Sequence, residues 1–229
     1  MKYWRMLTAT AALLTRPLLA GIVLAGAGGA AAQESDFDAY NARDVMRICA
    51  PCHGEFGQGG GGGAYPRLAG INPDYLAEQL RKFKTREREN IPMIPFATDR
   101  ELPEKDIQDV TRFLASVKLE TRLPEAVGEI DGLARLEQAK QVLQIPRADG
   151  DVATGKELYE ENCAACHGKA AEGRNKRPPL AGQFTGYLAE QAAHFVAKRR
   201  SHEQKADPIP DLSAQELQNI WAYVSTLDD

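Results

Sequence analysis

Cysteine and methionine are scarce: each occurs four times in 229 residues, and no methionine follows Met93. Charge of one sign is not in excess, with 28 Lys plus Arg against 32 Asp plus Glu, so the basic surplus of a nucleic-acid binder is missing. After residue 32 no apolar run approaches the ~20 residues needed to cross a bilayer. No segment alternates apolar and polar residues as a half-buried strand would. Apolar residues make up 43% of the chain but crowd into its first 32 positions, which leaves a modest supply for a core. Folding units of about 80 to 90 residues with such a core usually depend on a metal, a disulfide or a prosthetic group.

Residues 1–32 read as a secretory signal rather than as part of a fold. Lys2, Arg5 and Arg16 precede the apolar run 18–27, and Ala30, Ala31 and Ala32 offer a small-residue cleavage site. The run is too short for an anchor. The expectation is a periplasmic chain, cleaved near Ala32 and mildly acidic, that meets a membrane only through a partner.

In an exported protein four cysteines could form two disulfides, but here they stand as CAPCH, Cys49 to His53, and CAACH, Cys163 to His167. A redox dithiol of the thioredoxin kind belongs in a βαβ pattern that is absent, and the two pairs are too far apart for a zinc ribbon. The histidine directly after each pair points instead to covalent haem c. Cys49 and Cys52, and likewise Cys163 and Cys166, can form thioethers with the two vinyl groups of one haem. The next residue, His53 or His167, then falls beneath the iron as an axial ligand. Two covalently bound haem c groups are expected.

The chain also repeats. Residues 66–83 read PRLAGINPDYLAEQLRKF and residues 178–195 read PPLAGQFTGYLAEQAAHF. The offset between halves is 114 at the cysteines, 112 in these blocks and 110 at Leu102 and Leu212, so the second half is shorter in two loops. Helical patterns recur in the same order: 38–48 and 154–162 lead into the cysteines, 73–84 and 185–199 follow, and each half closes on an amphipathic helix. Ile107, Val110, Leu114 and Val117 stripe the first closing helix; Leu217, Ile220, Trp221, Val224 and Leu227 stripe the second. Pro103 and the Ser213/Glu216 capping box mark their starts.

Two halves ordered as CxxCH, PxLAG, YLxxQ and a final amphipathic helix resemble the dihaem cytochrome c4 family. They also resemble the dihaem cytochrome subunit of flavocytochrome c sulfide dehydrogenase. The resemblance spans residues 40–229 and implies an all-α fold of two tandem class I cytochrome c domains, here 33–117 and 151–229, with a connector over 118–150. It implies single-electron transfer with protein partners, a dehydrogenase, oxidase or reductase; in the residues themselves no catalytic acid, base or nucleophile constellation is legible. It further implies that the carbonyls of Pro66 and Pro178 accept hydrogen bonds from His53 and His167, and that Met93 is the second axial ligand of the first haem.

The second half departs from that pattern, having no methionine. The segment KRRSHEQKADPIPDLS holds the alternatives. Alignment at the 112 offset sets Lys205 opposite Met93, and the 110 offset sets Glu203 there, whereas His202 has the better ligand chemistry because imidazole is neutral near pH 7 and a lysine amine is not. His202 is therefore ranked first and Lys205 is its rival; an open iron, which would suit an enzyme or sensor, is the third possibility. His194, within a helix opposite Lys82, reads as a surface histidine. Imidazole or amine in place of thioether lowers a haem potential, so electrons are expected to run from the second haem to the first.

Other features carry bland expectations. Met46 reads as packing. Gly57 and Gly59 to Gly63 read as a flexible surface loop, since no strand or GK[ST] accompanies them. The basic runs 81–88, 174–177 and 198–200 read as solvated faces that could steer an acidic partner. In the connector, Ile130, Leu133, Leu136, Val142 and Leu143 suggest a short helix packed between the domains, or a docking site for a dehydrogenase subunit.

Overall fold

The computed structural model describes residues 37–129, 131–202 and 207–227. The expected signal segment, Ile130, Glu203 and Lys205 lie outside the described residues.

Each half opens on a capped helix. Asp38 accepts from the backbone N–H groups of Tyr40 and Asn41, both at 3.0 Å, and starts α1 (Ala39–His53), which runs through Pro51 to the end of the cysteine motif. In the second half Asp151 caps α5 (Val152–Asn162), and the backbone breaks at Cys163 before a single further turn, α6 (Ala164–His167). Between these come α2 (Pro73–Thr85), capped by Asn72 with Pro73 in its first turn; α3 (Glu104–Ser116), preceded by Pro103; and the connector helix α4 (Gly132–Lys140). The second half continues with α7 (Thr185–Val196) and α8 (Ala214–Val224), the latter begun by the expected Ser213/Glu216 capping box. Among the described residues only isolated β-bridges occur, and no helix is long and apolar enough to cross a membrane.

The two halves have separate apolar cores. Val45, Met46, Leu76, Ile107, Val110 and Leu114 form the first, so Met46 is the packing residue expected. Tyr159, Leu188, Ile220, Tyr223 and Val224 form the second. In the second, the first and last helices cross at a small residue. A Cβ added at Gly155 would stand 1.9 Å from the Asn219 carbonyl oxygen, so α5 and α8 approach as closely as backbones allow. On α1 the fully buried small residue is Ala42.

Three bland expectations fail. The connector does form a helix, but α4 buries no residue, and Leu133 and Leu136 are 69% and 55% exposed. What holds the connector is its backbone: Glu120 N–H donates to the Gln141 carbonyl at 3.0 Å and Leu143 N–H to the Glu120 carbonyl at 2.8 Å. The glycine-rich segment is not a free loop, because Gly59 and Gly63 abut the Phe184 ring of the second half and Gly63 is buried. The basic run 81–88 is largely paired, Arg81 with Glu104, Lys82 with Glu78 and Lys84 with Asp99, and its Arg88 is only 7% exposed.

Candidate functional site

His53 closes α1 with its ring turned onto the following loop. Its Nδ1 lies 3.0 Å from the Pro66 carbonyl oxygen. A carbonyl can only accept, so the proton is on Nδ1 and the lone pair on Nε2, which makes no hydrogen bond among the described residues. Burial holds the imidazole below its ordinary pKa despite that bond, so it is neutral at pH 7. The chain then folds back tightly: Gly59 N–H donates to the His53 carbonyl at 2.8 Å. A Cβ at Gly60 would lie 2.6 Å from the Cys52 carbonyl oxygen, which is why the segment after the motif must be glycine there.

The second half repeats this geometry, at the 114 offset for the histidine and glycine and at the 112 offset for the proline. His167 Nδ1 lies 2.8 Å from the Pro178 carbonyl oxygen, Gly173 N–H donates to the His167 carbonyl at 2.7 Å, and burial again lowers the imidazole pKa. All four cysteines are free thiols. Burial, with the neighbouring Cys52 or Cys166 adding to it, pushes the Cys49 and Cys163 thiols up to about 11. Each site thus presents two free thiols and one neutral imidazole with an uncommitted Nε2, which is the donor set covalent haem c requires.

The residues expected as second ligands differ between halves. Met93 ends a 3-10 turn, Ile91–Met93, and is half-buried; its backbone is fixed by bonds from Met93 N–H to the Asn90 carbonyl and from Ala97 N–H to the Met93 carbonyl, both 3.0 Å. In the second half the His202 and His167 rings lie 6.2 Å apart between centroids with their planes only 12° from parallel. That separation lies at the long end of offset stacking. Two imidazoles bound through a ring nitrogen to one metal at about 2 Å each would have their centroids about 6 Å apart. His202 packs against Phe195, 4.8 Å between centroids, and its Nδ1 lies 3.0 Å from Asp207 Oδ1 without the alignment of a hydrogen bond. His194 stays on α7, 3.8 Å from Glu190.

Two sets of residues that bridge the halves escaped the motif reading. Gln183, 5% exposed, reaches from the second half to chelate the peptide after Pro66: its Oε1 accepts from Arg67 N–H at 2.9 Å and its Nε2 donates to the Arg67 carbonyl at 3.0 Å. Arg88 and Arg200 each bond to glutamine and tyrosine of the other half. The second set had a signal, because Tyr75, Gln79, Phe83 and Arg88 recur 112 positions later as Tyr187, Gln191, Phe195 and Arg200. Gln183 had none.

The cytochrome c family model matches residues 42–118 and 152–228. Cytochrome c-552 of Acidithiobacillus ferridurans is 26% identical over 92% of this chain and 86% of its own length. The thiosulfate dehydrogenase electron acceptor of Stutzerimonas stutzeri is 29% identical over 83% of this chain and 80% of its own. Among solved structures, reduced cytochrome c4 from Pseudomonas stutzeri superposes with a TM-score of 0.62 at 20% identity, covering 82% of this chain and 98% of that one. The chain belongs to the cytochrome c family: it is a cytochrome c4-like dihaem electron carrier with one haem c for each of its two domains.

Proposed function

We propose that the protein is a directional two-site electron relay in the periplasm, exported by residues 1–32 and built from domains 33–117 and 151–229 about the connector 118–150. Cys49, Cys52 and His53 hold the first haem, and Cys163, Cys166 and His167 hold the second. When bound, each haem supplies one reversible one-electron couple. The Pro66 and Pro178 carbonyls fix the tautomer and orientation of the two proximal imidazoles and raise their basicity toward iron.

Met93 and His202 complete the first and second sites. The observation that carries this reading is the near-parallel placement of His202 at 6.2 Å from His167, with Phe195 packed against it. Imidazole is a stronger donor than thioether, so the second site is the more reducing and electrons pass from it to the first. An equilibrium redox titration tests this: two one-electron waves are expected, and His202→Ala is expected to move only the lower one. A single wave, or a lower wave unmoved by the substitution, overturns the assignment.

The electron donor is a dehydrogenase. Two relatives, from Stutzerimonas stutzeri and Thiomonas intermedia, are thiosulfate dehydrogenase electron acceptors, which supports a sulfur-compound donor. The test is reduction of the holoprotein by a purified thiosulfate dehydrogenase with thiosulfate, followed at the α-band; no reduction within catalytic turnover removes that donor class.

A further inference from the structure

The second half carries a carboxylate behind its proposed distal ligand. Nδ1 of His202 is buried, and Asp207 Oδ1 stands 3.0 Å from it. That separation is a hydrogen-bond distance, and a small turn of the ring or of the carboxylate aligns the bond. The His202 and Asp207 side chains are 21% and 22% exposed, so water screens the pair only in part. Phe195 packs against the imidazole at 4.8 Å between centroids and confines it from another side.

The carboxylate is itself held. Ile209 N–H donates to the same Oδ1 at 3.1 Å, which closes a turn over Pro208 at the start of the 3-10 turn Ile209–Asp211. Pro208 and Pro210 fix the backbone φ on both sides of Ile209. The repeat shows that this acceptor is peculiar to the second half: Asp207 falls opposite Ala97 at the 110 offset and opposite Pro95 at the 112 offset. A thioether such as that of Met93 has no N–H to orient, whereas an imidazole ligand has one. Histidine and carboxylate thus occur together in the half that lacks methionine.

We infer that Asp207 is a positioning residue of the second haem site, its carboxylate accepting the Nδ1 proton of His202 and so presenting Nε2 as the ligand nitrogen. The inference rests on the reading of His202 as distal ligand. His167 makes the same use of its Nδ1, but toward the neutral carbonyl of Pro178 at 2.8 Å. A carboxylate is the stronger acceptor and makes the imidazole behind it the better donor to iron. Asp207 therefore makes the second site more reducing than two imidazoles with neutral partners would be.

The test is a redox titration of the holoprotein, with EPR of its oxidised form, on wild type, Asp207→Asn and Asp211→Asn. Asparagine at 207 keeps an oxygen for the Ile209 N–H and removes the charge; Asp207→Ser, whose hydroxyl can also accept that bond, replaces it should it not fold. Asp211, exposed in the same turn, is the control for bulk charge. Asp207→Asn is expected to keep the bis-imidazole signal and to raise the lower potential by about tenfold in the reduction equilibrium, ~59 mV for one electron, with the higher potential unmoved. Asp211→Asn is expected to move neither. In a His202→Ala background the effect of Asp207→Asn is expected to shrink to less than half. A wild-type bis-imidazole signal with a lower potential that ignores Asp207→Asn, that moves equally with Asp211→Asn, or whose shift is undiminished in His202→Ala overturns the inference and leaves the His202 ligand standing. Absence of that signal in wild type overturns the ligand reading and the inference with it.

Discussion

Gln183 of the second domain grips the Arg67 peptide of the first by both its N–H and its carbonyl, at 2.9 and 3.0 Å. The preceding residue, Pro66, supplies the carbonyl that orients His53. One domain thus helps to place the His53 imidazole of the other, and no equivalent grip runs in the reverse direction among the described contacts. Gln183→Ala is expected to cost about 1–2 kcal/mol of stability, the worth of two hydrogen bonds at a buried site. It should also alter the spectrum and potential of the first haem while leaving the second unchanged. A redox titration resolved by haem checks this; equal shifts at both haems would mean general loosening instead.

Asp109 ties the start of α1 to α3. It accepts from Asp38 N–H at 3.1 Å, from Asn41 Nδ2 at 2.8 Å and from the Lys105 ammonium. Burial alone would raise its pKa, but Lys105, Asn41 and the Asp38 N–H together outweigh burial and hold the carboxyl below the usual carboxylate range. A depressed pKa in the folded state means stability that is fully present above the unfolded-state value and is lost as pH falls through the folded one. Asp109→Ala is therefore expected to lose about 2 kcal/mol near pH 7. Urea denaturation at a series of pH values should show the gap to wild type closing in acid. A gap that is constant with pH would assign the loss to packing.

The α5–α8 crossing leaves no space at Gly155. Gly155→Val would force a branched side chain against the Asn219 carbonyl and Tyr223, and a destabilisation of about 3 kcal/mol is expected in the second domain. Thermal unfolding followed at the Soret band measures it. Loss of less than about 1 kcal/mol would mean that the helices can part without cost.

How much of this was legible in the sequence depended on whether a feature is local. The CxxCH motifs, the Ser213/Glu216 box and the stripes of α3 and α8 are short-range patterns, and the structure carries them with boundaries shifted by only a few residues. The repeat announced two cores. What failed were statements about what covers a surface. Leu133 and Leu136 have helical spacing, but spacing does not say whether an opposing face exists, and none covers them. Arg88 sits in a basic run that suggests solvent, yet the second domain closes over it and supplies Tyr187 and Gln191. Gly59 and Gly63 looked flexible because glycine allows flexibility; here small size admits Phe184. Such contacts join residues about a hundred positions apart, beyond the reach of any local pattern. The distal side of the second site was half legible: the missing methionine flagged it, and the parallel rings of His167 and His202 favour one of its alternatives.

The central claim is that the two haems differ in their distal ligands, Met93 for the first and His202 for the second. Low-temperature EPR with near-infrared magnetic circular dichroism of the oxidised holoprotein tests it most directly, repeated on Met93→Ala and His202→Ala. The account predicts two low-spin haems, one with a thioether charge-transfer band that Met93→Ala removes and one bis-imidazole signal that only His202→Ala converts to high spin. A second haem that is already high-spin in wild type, or a low-spin signal that survives His202→Ala unchanged, would contradict it.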